Sequence, residues 1–436
     1  MAVKKTRSKK PGTLRRVAII GSRRAPFCRS YTGYGDIGNL ALLSTAIGGL
    51  VEAYGLRGEK IDEVMAGAVI KHSRDFNLAR EASLDAGLSP FTPGTGLQIA
   101  CGTSLQAALS LGAKIASGEI ESGIAAGADS ISDSPVVFSD KFAKRMVKLS
   151  RARSFGQKLG AFKGFGLKEL MPVAPSVAEP RTGLAMGQHC ELMAREWGIS
   201  REDQDAFALK SHQNASRSYD EGFHDDLLVP CEGVLKDNNV RSDSTLEKMA
   251  QMKPAFDRKS GFGTLTAANS TPLTDGSAAV LLASEEWAKE RGLPILAYLS
   301  MGAVSANDFA SGDGLLMAPT IAVSDLLKRA EIGFGDIDLF EIHEAFAAQV
   351  LCTLKAWSDR KYCREVLGRD KVLGKVPAAK LNINGSSLAY GHPFAATGAR
   401  ILGHTAKLLN ETKKQRALIS VCTAGGMGVA ALVERT

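Results

Sequence analysis

Apolar residues in this chain fall into short continuous runs, separated by stretches in which they recur at helical spacing. Arg16-Val-Ala-Ile-Ile-Gly21 is such a run and predicts a buried strand. A turn-rich segment, 22–34, leads into residues 40–54, whose apolar positions have the period of a helix. Residues 61–70 form a second strand region rich in small side chains, and 77–86 a second helix. Residues 96–117 then read as a short apolar strand, a cysteine at the corner, and a helix with apolar residues at 105, 108, 109, 111 and 115. Residues 122–129 make a further strand. Strand and helix alternating in this way signal an α/β core.

From about 131 to 271 the texture changes. Lys141, Lys144, Arg145, Lys148, Arg151, Arg153, Lys158, Lys163 and Lys168 are interleaved with Phe142, Met146, Leu149, Phe155, Leu159, Phe162 and Phe165. A helix here carries one basic and one apolar face, suited to phosphates, a partner protein or an anionic membrane surface, or simply to a solvated cover. Residues 181–224 read as two helices, with Ser200-Arg-Glu-Asp203 as a capping box between them. The α/β pattern returns at 273–282. Helical spacing follows at 321–329, and Asp338-Leu-Phe-Glu-Ile-His343-Glu-Ala-Phe346 enters a helix through Val350 and Leu354, which resembles the Cys101 element. Strands at 417–428 and 429–433 around a glycine turn parallel the 124–129 region. The expected organisation is therefore two similar halves with an insertion in the first. Its parts are a basic tail (1–15), an N-terminal half (16–130 with 272–296), an inserted loop domain (131–271) and a C-terminal half (297–436).

Composition narrows the class. The chain has 436 residues, 44% of them hydrophobic and 45 of them glycine, which suits tightly packed α/β layers. No apolar run approaches the roughly 20 residues that span a bilayer. Seven dispersed cysteines without metal-ligand spacing imply a reducing, cytoplasmic setting and neither structural zinc nor another metal. The formal charge of +8 is concentrated at the start, where Lys4, Lys5, Arg7, Lys9, Lys10, Arg15 and Arg16 precede the first acid, Asp36. That segment lacks the apolar residues of an amphipathic transit peptide and reads as a disordered tail. Aromatic interleaving and reader motifs for nucleic acid are missing from it.

Reactive side chains stand at four corners: Cys101, His343, His392 and Cys422. Taken alone, each has an inert reading as a core thiol, an interior histidine or a turn residue. Cys101 would face free N–H groups and the positive end of a helix dipole, which favour a thiolate.

Together the segments resemble the thiolase family. They are Gln98-Ile-Ala-Cys101-Gly-Thr-Ser, Asn269-Ser-Thr-Pro-Leu-Thr-Asp275-Gly-Ser-Ala-Ala, His343-Glu-Ala-Phe346, Gly385-Ser-Ser-Leu-Ala-Tyr-Gly-His392-Pro-Phe-Ala-Ala-Thr-Gly, and Cys422-Thr-Ala-Gly-Gly. The resemblance implies a five-layered αβαβα sandwich of two duplicated βαβαβαββ halves with an inserted loop domain. It implies cleavage of 3-ketoacyl-CoA by CoA through an acyl-cysteine, as in fatty-acid β-oxidation. In that scheme Cys101 is the nucleophile, His392 its activator, Cys422 the acid/base and His343 an oxyanion donor. Backbone N–H groups at Cys101 and near Ala424 would hold the other oxyanion. Thr271, Ala424 and Phe346 fall at substrate-binding positions, with CoA as substrate and no bound cofactor.

Two residues depart from the usual pattern. His343 stands where the family has Asn, as in the branch belonging to the trifunctional fatty-acid oxidation complex, and Ala424 replaces a glycine. A neutral histidine still donates one hydrogen bond, and a backbone donor at Ala424 works if its φ is negative. That branch implies a homodimer or tetramer, a partner subunit with hydratase and dehydrogenase activities, and membrane-surface contact through the basic insertion. Three rivals remain open at this point. One is an acetoacetyl-CoA thiolase. Another is a decarboxylating condensing enzyme, in which Cys422 would have no task. The third is a silent CoA- or lipid-binding relative. A papain-like hydrolase would also leave Cys422 unexplained.

Overall fold

The computed structural model describes residues 14–173 and 178–436; most of the predicted basic tail lies outside the described residues. The N-terminal half runs β1 (Val17–Arg24), α1 (Asn39–Ala53), β2 (Glu63–Gly67), α2 (Leu78–Asp85), β3 (Gly94–Gly96), α3 (Thr103–Ser117) and β4 (Ser122–Asp129). After the insertion it closes with β5 (Thr274–Ser284). The insertion contributes α4 (Asp140–Arg151), α5 (Met186–Glu196) and α6 (Arg201–Asp220). The C-terminal half comprises β6 (Ala297–Ala306), α7 (Ala318–Ala330), β7 (Leu339–Ile342), α8 (Ala347–Ser358), α9 (Thr397–Thr412), β8 (Arg416–Thr423) and β9 (Met427–Glu434).

The strands lie in the order β3-β2-β4-β5-β1-β6-β9-β8-β7. Read outward from the β1/β6 junction, each half repeats one order: first strand, last strand, fourth strand, second strand. The junction itself is thin, with only Ala18 opposite Tyr298 and Ile19 opposite Ala297. In the C-terminal half the third strand shrinks to a single bridge between Phe340 and Leu381, where the first half has the three-residue β3. This order corrects one expectation. The structural twin of the Cys101 corner is the loop before α9, which carries His392; His343 follows β7 and is the twin of the turn after β2. The sequence resemblance between the two corners reflects a shared strand-to-helix grammar, not equivalent positions.

Helices α3 and α9 form the middle layer. Leu105, Leu111 and Ile115 pack with Ile401, Leu402 and Leu408 against Val280 and Leu282 on one side and Leu299, Ile419 and Val429 on the other. Every residue of α9 from Thr397 to Leu409 is buried. On one outer face, Leu42, Leu43, Ile47 and Leu50 of α1 recur at three- and four-residue spacing and cover Ile20, Val64 and Leu281. On the other, Val323, Leu326 and Leu327 of α7 and Trp357 of α8 cover Phe340, Leu418 and Leu432. Five layers result. β5 is buried along its entire length because both of its faces are covered, which explains the continuous apolar run Ala278–Ala283 within it.

The insertion splits into two textures. Ser200 caps α6 by accepting from the Asp203 amide at 3.0 Å, and Cys190, Met193 and Ala194 of α5 pack on Cys352 and Ala356 of α8. These helices are inserted in the first half yet roof the second. Residues 137–173, by contrast, make a small outlying lobe. No residue of α4 is buried; Phe138 and Phe142 pack at 5.1 Å between ring centroids, and Arg145 joins Glu169 at 2.6 Å. Among the described residues no helix is long and apolar enough to cross a membrane.

Candidate active site

Cys101 sits on a tight turn. Ala100 adopts φ 46°, a left-handed conformation that costs an L-residue energy and turns the chain sharply from β3 into α3. Thr103 Oγ1 locks the turn by donating to the Ala100 carbonyl at 2.7 Å and accepting from the Ile99 amide at 3.0 Å. Gly102 is required by close packing: a Cβ there would stand 2.8 Å from Val429 and 2.9 Å from Thr423 of the other half. This contact brings the two halves together at the thiol.

His392 reaches the same point from the twin corner, with Nε2 3.1 Å from Cys101 Sγ. Its Nδ1 lies 2.6 Å from Thr397 Oγ1, and its amide donates to Thr274 Oγ1 at 3.1 Å. The His343 ring stacks obliquely beside it, 4.2 Å between centroids. His343 Nδ1 is 2.8 Å from Ser387 Oγ, while its buried Nε2 has no hydrogen-bond partner within the protein. Cys422, at the end of β8, is buried as well. In the loop beyond it the left-handed positions are Gly425 (φ 78°) and Gly426 (φ 68°), so Ala424 escapes that region as its donor role requires. Glu179, from the insertion, accepts the Gly425 amide at 2.9 Å and ties this loop to the roof.

Electrostatics revise the expectation of a resting thiolate. Burial pushes the Cys101 thiol up to about 12, although the N–H groups of Ala424 and Cys101 pull it down. Burial, with a smaller contribution from the Arg400 cation, holds His392 down to about 3. The helix dipole and amides therefore lose to desolvation, and the resting pair is neutral thiol and neutral imidazole. Burial, then the neighbouring His392 and Arg400, keeps His343 neutral, and burial, followed by the nearness of the Cys101 sulfur to a second thiolate, raises the Cys422 thiol well above its usual value.

A groove of about 610 Å³ leads toward the cluster. Its lining includes Arg29, His212, Arg241, Lys248, Thr271 and Leu273. Its inner end abuts His392, because Leu273 bridges to that residue. Thr271 lies on this wall, held by the Ala345 carbonyl at 3.1 Å. Phe346 stands behind the wall, packed edge-on against Phe256 at 5.7 Å. A larger cavity, about 770 Å³, lies between α3 and β6 at the β1/β6 junction; the four reactive side chains line neither it nor the groove, but the groove is the one whose wall runs through Leu273 to His392.

The structure thus brings together the four side chains singled out from sequence. It adds Ser387, Thr397, Arg400 and Glu179, which carried no recognisable signal because such residues are ordinary in helices and loops. Cys101 Sγ and one nitrogen each of His343 and His392 lie within 4.8 Å of one another, a donor set that could hold a soft divalent cation.

The thiolase N-terminal domain family model matches residues 17–286, and the thiolase C-terminal domain model matches 293–435. The chain belongs to the thiolase family. Among its relatives, the 3-ketoacyl-CoA thiolase of Yersinia pestis (strain Pestoides F) is 43% identical over 425 residues, spanning 96% of this chain and 97% of that protein. The 3-ketoacyl-CoA thiolase of Yersinia pseudotuberculosis serotype O:3 matches equally, at 43% over 425 residues with the same 96% and 97% coverage. The human mitochondrial 3-ketoacyl-CoA thiolase superposes with a TM-score of 0.81 at 27% identity, covering 98% of this chain and 100% of that one. A structure of that human enzyme with CoA gives 0.80 at 28%, covering 97% and 99%. The acetyl-CoA acetyltransferase of Bacillus anthracis gives 0.80 at 28%, covering 97% and 100%.

Proposed function

We propose that the chain is a 3-ketoacyl-CoA thiolase, transferring an acyl group to CoA with release of acetyl-CoA. The observation that carries this reading is the 3.1 Å approach of His392 Nε2 to Cys101 Sγ, in a buried cluster joined through Leu273 to the wall of a groove lined by Arg29, Arg241 and Lys248. Cys101 Sγ attacks the C3 ketone as its proton passes to His392; both groups start neutral, so proton transfer and S–C bond formation proceed together. The N–H groups of Cys101 and Ala424 receive the ketone oxyanion. The C2–C3 bond then breaks, and His343 and His392 receive the enolate oxygen of the leaving acetyl-CoA. Cys422 protonates C2. In the second half-reaction Cys422 takes the proton of an incoming CoA thiol, whose sulfur attacks the acyl-cysteine. Cys101 leaves as the thiol, recovering the proton held on His392.

CoA would enter along the groove, its pantetheine against Thr271 and its phosphates met by Arg241, Lys248 and Arg29. Phe346 supports that wall through Phe256. In this reading residues 131–271 are a loop domain that roofs the site, and the chain works in fatty-acid β-oxidation in a cytoplasmic setting, without a bound cofactor or metal. The strand β3 has a neighbour on one side only, β2, so its free edge suits pairing with a second copy in a homodimer or tetramer. The exposed basic and apolar lobe around α4 suits a hydratase/dehydrogenase partner subunit or a peripheral membrane surface.

The test is CoA-dependent cleavage of 3-ketoacyl-CoAs of graded chain length, with Cys101→Ala as control. We expect turnover that extends beyond acetoacetyl-CoA and a loss of more than about 10³-fold in the variant. Turnover confined to acetoacetyl-CoA would make it an acetyltransferase instead, and malonyl-dependent condensation would make it a decarboxylating synthase.

A further inference from the structure

His343 can serve an oxyanion only if its Nε2 carries the proton, and a neutral imidazole has two tautomers. The structure contains the device that selects one. Ser387 Oγ lies 2.8 Å from His343 Nδ1 and also 2.8 Å from Nη2 of Arg400. All three groups are buried. A guanidinium only donates, so Ser387 Oγ must accept from Arg400. Its single hydroxyl proton then has one remaining neighbour, His343 Nδ1, which must offer a lone pair. The opposite tautomer would aim two donors, Arg400 Nη2 and His343 Nδ1, at the Ser387 oxygen and leave the buried Ser387 hydroxyl proton without an acceptor. We propose that Arg400 and Ser387 are positioning residues that fix His343 as the Nε2–H tautomer, aiming a single N–H into the pocket beside Cys101 and His392. His343 Nε2 has no partner within the protein, so the proton placed there is left open to a ligand.

The arrangement also explains why a histidine at this position needs help that an amide would not. The NH₂ of asparagine is a donor whatever its neighbours, whereas an imidazole donates at Nε2 only after something has claimed Nδ1. Arg400 is anchored for the task by its position in α9, one turn past His392's partner Thr397, and by a second contact to Ser386 Oγ at 3.3 Å.

The inference rests on the oxyanion role given to His343 above, and the experiment separates the two. Ser387→Ala is made in the native chain and again in a His343→Asn background. In the native chain kcat for 3-ketoacyl-CoA cleavage should fall roughly 10- to 100-fold, a fraction of the effect of losing a whole oxyanion donor, with KM nearly unchanged and Ser387→Thr restoring the rate. In the His343→Asn background the same change should cost no more than about 2-fold, because no tautomer remains to be chosen. Equal losses in both backgrounds would mean that Ser387 acts structurally and would overturn the proposal. A second readout needs no activity: in protein labelled with ¹⁵N-histidine, His343 should show a protonated Nε2 in the native chain and a tautomer mixture in Ser387→Ala. A protonated Nδ1 in the native chain would sink it. If the native chain cleaves no 3-ketoacyl-CoA while the labelled spectrum is as expected, the functional reading fails and the tautomer assignment stands.

Discussion

After β2, in the N-terminal half, the turn residues Val69 and Ile70 donate their amides to the Asp129 carboxylate at 2.8 and 2.7 Å. After β7, in the C-terminal half, the equivalent turn opens with His343 and faces the pocket. The eight-residue strands β4 and β8 make the same contrast: where β8 has Cys422, β4 has Ala128, and Asp129 beside it also holds the Ala395 amide at 2.8 Å. One copy of the scaffold has kept its strand ends for clamping backbone, including the loop that carries His392. The other copy uses the same ends for three of the four reactive side chains. Cys101 is the exception on the clamping side, and it sits where Gly102 packs against Val429 and Thr423 of the other half. Duplication therefore lets stability and chemistry be handled by different copies of one framework.

If that division is right, substitutions in the two halves should fail in different assays. Cys422→Ser should cost roughly 10²–10³ in thiolysis, since an alcohol is a poor acid toward carbon at neutral pH, while urea unfolding is barely moved. Asp129→Ala should do the reverse. It orphans one buried and two part-buried amides and should lower unfolding free energy by about 2–3 kcal/mol in urea titrations; a variant of native stability would show that the clamp is ornamental. Zinc offers a finer probe of the C-terminal side. Zn²⁺ should inhibit by binding Cys101 and His392 and, once its proton has moved from Nε2 to Nδ1, His343; chelator should reverse it, and His343→Asn should raise the inhibiting concentration about tenfold. The smallest effect expected is in the pH profile. His392 must be unprotonated to accept the Cys101 proton, and burial holds it so down to about pH 3, while the thiol stays protonated up to about 12. Between roughly pH 5 and 9 this pair should leave kcat/KM flat; an acid limb near the ordinary imidazole value of about 6.5 would show that solvent reaches the site and that the halves close less tightly than described.

Much of this was legible in the chain. Periodicity located the strands and helices, because interior strands such as β5 must be apolar on both faces and α1 must present a stripe. The reactive corners were legible because Cys101, His343, His392 and Cys422 interrupt apolar runs. The pairing of corners was not. Any strand entering a helix through a polar residue reads alike, and only the sheet order distinguishes the twin of Cys101 from its neighbour. The charge state of the thiol was also hidden, since helix dipole and amides are local but burial is contributed by the opposite half. Ser387 and Arg400 act through a hydroxyl orientation and a contact 13 residues apart in a helical context, which no periodicity records.

The helix α9 has a consequence for how the molecule is made. It is buried from Thr397 to Leu409, and it supplies half of the layer on which the N-terminal sheet rests. A ribosome delivers it only after the whole N-terminal half has been made. Until then Leu105, Leu111 and Ile115 have no permanent cover, so the first half cannot complete its core on its own. Severing the chain between the halves would yield two sticky fragments, not two smaller domains, and maturation should depend on a holdase that shields the early half until α9 has been made.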